Sequence, residues 1–147
     1  MTYSYALVQA LTSKISVVVA MNSDSPYKIN VKVDPFYIED QSAPAENRYV
    51  FAYTVNIQNT GTIAAKLVSR HWIITDANGK IQEVRGQGVV GEQPYLRPGE
   101  AFQYTSGAVL DTAVGTMRGF YQMVGEDGNQ FNAEIPLFTL SVPRTLH

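Results

Sequence analysis

From residue 28 onward the chain alternates apolar and polar residues with a period of two, a pattern that points away from a helical fold. In "INVKVDPFYI", Ile29, Val31 and Val33 point one way, and Asn30, Lys32 and Asp34 the other. "RYVFAYTVNIQN" places Tyr49, Phe51, Tyr53, Val55 and Ile57 on one face. Successive side chains of a strand point to opposite sides, so such segments bury one face and wet the other. No stretch between residues 28 and 142 repeats with the helical period of 3.6. Further strands are expected at "IAAKLVSRHWIIT", "IQEVR", "AFQYTSGAVL", "GTMRGFYQMV" and "QFNAEIPLFTLSV".

The breaks between these runs carry turn chemistry. "NTGT", "LRPGE" and Asp127-Gly128 mark reversals, and Asn78-Gly79 predicts a type I′ hairpin turn with positive φ at both central residues. Pro35 has no N–H to give to a ladder and suits an edge strand or a bulge. About seven short antiparallel strands at this spacing predict an all-β fold, an immunoglobulin-like or fibronectin type III-like β-sandwich. Trp72, in mid-strand, is its expected core centre. The 147 residues fit one domain, read here as residues 28–147. Residues 1–27 form an N-terminal segment outside that domain, and residues 1–25 fit either a short amphipathic element or an edge strand.

Composition narrows the function. The chain contains no cysteine, which removes disulfides, thiolate nucleophiles and cysteine-ligated metals. Its net charge of −2 gives no basic excess to hold nucleic acid. The apolar run from Ile15 to Met21 is far shorter than the roughly 20 residues that span a bilayer. Lys14 is the only cation before it, so neither a signal peptide nor a membrane span is expected. The expectation is a cytoplasmic protein.

"VRGQGVVGEQP" contains Gly86, Gly88 and Gly91 in the spacing G-x-G-x-x-G. A dinucleotide site needs that loop to open a helix, whose N-terminus then binds the pyrophosphate. Pro94 and Pro98 follow too closely for a helix. Nor does a Gly-Lys-Ser/Thr follow. Two readings survive. The glycines supply positive φ or close backbone approach in an irregular connection between strands. Alternatively their amides form an anion nest for phosphate or pyrophosphate, with Arg85, Arg97 or Arg70 neutralising charge. Convergence of Arg70, Arg85, Arg97 and Arg118 on the loop would favour the anion.

Other chemistry is sparse. In "RHW", Arg70 and Trp72 share a strand face and His71 takes the other. The second histidine is His147, and two separated histidines do not make a transition-metal site. "DANGKIQE" places Lys80 where a calcium loop needs an oxygen ligand. Ser106 lacks the first glycine of a nucleophile elbow and reads as a strand-end or turn residue. Glu39 with Asp40, and Glu126 with Asp127, read as solvated acids. No catalytic residue, cofactor or metal ligand is assigned, and the chain is read as a non-enzyme.

"YVFAYTVNIQNTG", "SRHWIITDANGKIQEVRGQGVVGEQPYLRPGEAFQYTSG", "GTMRGFYQMV" and "IPLFTLSVPRTLH" closely resemble the bacterial ApaG (CorD) family over about residues 28–147. That resemblance implies a fibronectin type III-like sandwich and a family G-x-G-x-x-G at Gly86, Gly88 and Gly91. It transfers no catalytic residue. It implies an association with cobalt and magnesium efflux or resistance, and with the genetic neighbourhood of diadenosine tetraphosphate hydrolysis. Related domains in F-box proteins and in a DNA-polymerase-delta-interacting protein suggest protein binding. The expected function is therefore a small module for protein–protein interaction, with Tyr95, Arg97 and the glycine loop as contacts. A binder of pyrophosphate or a phosphorylated nucleotide is the alternative.

Overall fold

The computed structural model describes residues 25–144. The reading of the N-terminal segment therefore lies mostly outside the described residues, as does His147. Eight strands follow in order: β1 (Ile29–Tyr37), β2 (Tyr49–Asn59), β3 (Ala65–Asp76), β4 (Ile81–Gln87), β5 (Tyr95–Leu96), β6 (Ala101–Leu110), β7 (Val114–Gly125) and β8 (Gln130–Ser141). Two short 3-10 turns, Glu39–Gln41 and Pro44–Glu46, join β1 to β2. The seven longer strands are those the alternation marks, and β5 has only two residues.

All the pairings are antiparallel. One sheet runs β1-β2-β6. The other runs β4-β3-β7-β8, with β5 also paired to β3. Strands β2 and β6, and β3 and β7, are neighbours in space but not in sequence, so the chain crosses repeatedly between sheets. This is the sandwich expected, built by alternate residues facing inward.

The core follows from that alternation. In β7, Gly115, Met117, Gly119, Tyr121 and Met123 are buried while Arg118 and Gln122 are exposed. Trp72 is 2% exposed and meets Tyr53, Tyr121 and Phe138 edge-on or tilted, at centroid distances of 5.3, 6.4 and 5.9 Å. Edge-to-face packing of this kind adds to the burial energy of each ring. Asn59 is the one buried polar residue among the described residues, and its amide donates to the carbonyls of Ile63 and Leu96 at 2.8 and 2.9 Å.

Two local expectations need correction. Asn78-Gly79 does not form a type I′ turn, because only Gly79 has positive φ. The Gly79 N–H instead closes a four-residue turn on the Asp76 carbonyl at 3.1 Å. The Asp76 carboxylate accepts from the Asn78 and Lys80 amides, each at 2.9 Å, and this favours the longer turn over the tight one. Second, Ser106 lies inside β6, paired with Tyr53, rather than at a strand end. Glu126 and Asp127 are exposed, as expected, and each also accepts a hydrogen bond: Glu126 from the Ala64 amide at 3.1 Å, and Asp127 from the Tyr27 hydroxyl.

Candidate functional site

The glycine loop is explained by its neighbour β3. Residues 69–75 of β3 pair with β4, and Ala65 and Lys66 pair with β5. Between them the register of β3 shifts around Val68. Strands β4 and β5 are thus two pieces of one edge, and the glycine stretch is the excursion between them. The Val68 carbonyl accepts both the Gly88 amide at 2.8 Å and the Gln93 side chain at 2.9 Å. The Leu67 amide donates to the Pro94 carbonyl at 2.9 Å.

Each glycine has a separate backbone task. A Cβ on Gly86 would lie 2.7 Å from the Arg70 guanidinium carbon, which packs against it across the β3–β4 ladder. Gly88 has φ +62, and a Cβ there would lie 2.2 Å from the Glu92 carbonyl oxygen. Gly91 has φ +82 with open space around it. Val89, fully buried, anchors the loop, and Val89 and Glu92 exchange amide-to-carbonyl bonds at 2.8 and 2.9 Å. The two residues they enclose, Val90 (φ 44) and Gly91, both have positive φ, the geometry of a type I′ turn. The tight turn expected at Asn78-Gly79 therefore occurs here, with a strained β-branched residue at its first position.

Arg70 fastens this loop from within the sandwich. Its Nη1 donates to the Gln87 and Gly88 carbonyls at 3.0 and 2.8 Å. Buried tyrosine hydroxyls lie on the same inner side. Tyr104 and Tyr121 share a hydrogen bond of 2.5 Å. Burial pushes the Tyr104 hydroxyl up to about 12 and carries Tyr121 higher still. Arg70 pulls weakly in the opposite direction on both, and also on Tyr53, whose hydroxyl burial likewise raises.

The other predicted arginines do not meet at the loop. Arg85 pairs with Glu83 at 3.1 Å. Arg97 lies 3.7 Å from Glu100 and stacks over Tyr95, 5.7 Å from its ring centroid. Arg118 lines a separate groove with Ile73, Phe120 and Glu134. The amides of Gly88, Val89 and Glu92 are all engaged by carbonyls. The anion reading thus has few free donors to work with.

The structure instead brings His71, Arg85 and Gly86 together with Phe120, Gln122 and Ser69 on the outer face of the larger sheet, with Arg70 and Gln87 at the rim. They border an open groove of about 440 Å³. The His71 ring packs on Phe120 at 4.9 Å, and its Nε2 lies 3.4 Å from the Glu83 carboxylate without a hydrogen bond. Ser69 donates to Gln122 across β3 and β7. Two further grooves, of about 320 and 300 Å³, continue along β7 and β8. Gly88, Gly91 and Arg97 do not border the His71 groove. Sequence reasoning missed Phe120 and Gln122. The signal was available: Phe120 puts an aromatic ring on the outward side of β7, between Arg118 and Gln122.

Fold and surface together define a small antiparallel β-sandwich domain with an aromatic-bearing sheet face that no described element covers and a glycine-built edge loop. The sequence pattern of the ApaG domain matches residues 39–125. The chain is 62% identical over 127 residues to Protein ApaG of Thiobacillus denitrificans, covering 86% of this chain and all of that one. Protein ApaG of Methylobacillus flagellatus is 61% identical over the same length. The crystal structure of an ApaA protein from Bordetella pertussis superposes with a TM-score of 0.80 at 56% identity, covering 83% of this chain and 99% of that one. The chain belongs to the ApaG family. Among the described residues, no group of three or more His, Cys, Asp or Glu side chains is placed to hold a metal ion. No helix there is long and apolar enough to cross a membrane.

Proposed function

We propose that this protein is a non-enzymatic binding module that takes a protein partner on the outer face of its larger sheet. One observation carries the reading: the half-buried Phe120 ring, stacked on His71 and flanked by Arg85 and Gln122, on a face that no described element covers. Rigid aromatic and arginine side chains in a shallow, partly desolvated setting are the residues that dominate protein interfaces. Tyr95, 46% exposed under Arg97, extends the same sheet at β5. The acids and hydroxyls of the face form no nucleophile–base–orienter chain.

Photo-crosslinking in cells tests this. A benzophenone amino acid replaces Phe120 in one variant and Thr105, on the outer side of the opposite sheet, in another. Discrete protein adducts are expected from position 120 and not from 105, and Phe120→Ala removes the same partner from pull-downs. An equal yield at the two positions, or none at 120, refutes the assignment.

A further inference from the structure

Among the described residues nothing pairs with the outer edge of β4, and that edge is self-complementary. We infer that a second copy of this chain pairs with it, antiparallel, about a twofold axis at Val84. An unpaired strand edge offers a row of N–H and C=O groups to another chain unless something blocks it. Two of the four outermost strands are blocked: β1 carries Pro35 and β8 carries Pro136, and both run close together along one side of the sandwich. On the other side lie β4 and β6. Neither contains proline, but β6 contains no charged residue and so no charge pair to fix a register. Strand β4, "IQEVRGQ", has no proline, and every residue but Gly86 is exposed.

Its charges fix the register. Glu83 and Arg85 flank Val84 on the outer face, opposite Ile73 and His71 of β3. In an antiparallel pair centred on Val84, Glu83 of each copy faces Arg85 of the other, and Ile81 faces Gln87. Centring on Glu83 or on Arg85 would set like charges directly opposite, which is destabilising. The pairing also covers Val84 and Ile81, which are 39% and 62% exposed. Within one copy Glu83 and Arg85 already touch, at 3.1 Å, but with side-chain exposures of 47% and 69%. A pair that open to water is weak and easily exchanged for a cross-strand one. The result is an isologous dimer, the commonest closed assembly, with one sheet continuous across both copies.

Sedimentation equilibrium over a concentration series tests the assignment. The wild-type chain is expected to move from its 16.2 kDa monomer mass to twice that. Arg85→Glu and Glu83→Arg should each be monomeric, since each presents two like charges to itself. Mixed one to one, they should form a heterodimer, and the double variant Glu83→Arg/Arg85→Glu should dimerise again. Circular dichroism confirms that each variant is folded, and surface changes in an exposed edge strand leave the core intact. A wild-type chain that stays monomeric to millimolar concentration overturns the inference, as does a dimer that survives both single changes. Phe120→Ala leaves this dimer intact, so failure here is distinct from failure of the outer-face binding site.

Discussion

Arg70 and His71 are adjacent in the chain and lie on opposite faces of β3. Arg70 faces inward, and its guanidinium is spent on the Gln87 and Gly88 carbonyls and packed on Gly86. His71 faces outward, with its ring on Phe120 and a buried Nε2 that no group hydrogen-bonds. The inner face is finished: polar groups are paired and rings interlock around Trp72. The outer face is unfinished, with an aromatic pair and grooves open to solvent. The inner face carries the buried core that holds the sandwich together. What the outer face leaves unsatisfied is what a partner can satisfy.

The comparison breaks first at its two aromatic residues. Trp72→Ala removes the centre of the inner face and should cost about 3–5 kcal/mol in urea denaturation. Phe120→Ala, half-buried and outward, should cost well under half of that while abolishing partner capture. Equal losses would mean that the outer face is as structural as the inner one.

The glycine loop sharpens the same contrast on a smaller scale. Gly88→Ala adds a Cβ at φ +62 against the Glu92 carbonyl and should cost about 2 kcal/mol or more. Gly91→Ala has the same sign of φ but open space, so about 1 kcal/mol is expected from backbone conformation alone. Equal costs would show that the Gly88 contact relaxes and that φ alone matters.

The smallest effect lies at the β7–β8 turn. The Tyr27 hydroxyl and the Asn129 amide hold the Asp127 carboxyl below its usual range. A carboxylate with a depressed folded-state pKa contributes stability above the unfolded-state value and loses it as pH falls through the folded one. Urea midpoints of wild type and Asp127→Asn should therefore differ slightly at pH 7 and converge towards pH 2. A gap that persists in acid would assign the effect to lost hydrogen-bond geometry rather than to charge.

Much of this architecture was legible along the chain. Period-two alternation located the seven long strands, Trp72 and the opposite facing of Arg70 and His71, because strand geometry ties facing to residue parity. Two prolines after Gly91 ruled out the helix a dinucleotide site needs. Turn type was not legible in the same way. Asn78-Gly79 has the composition of a tight turn but yields to the Asp76 side chain, whereas Val90-Gly91 takes up that geometry without the composition. Buried Val89 and the stitching of the loop to β3 impose it. The interrupted edge at β5 was equally hidden, since two residues carry no measurable period.

By itself the sequence determined the fold class, the inward residues and the family, because these depend on local alternation and on long ordered motifs. The tertiary structure alone decided what the glycines do. Gly86 is small because Arg70, sixteen positions earlier in the chain, lies across it in the ladder. It also decided that Phe120 meets His71, and that Glu83 and Arg85 lie on an edge no described strand pairs. Those are relations between strands, and register and strand order, set by packing of the whole core, decide them.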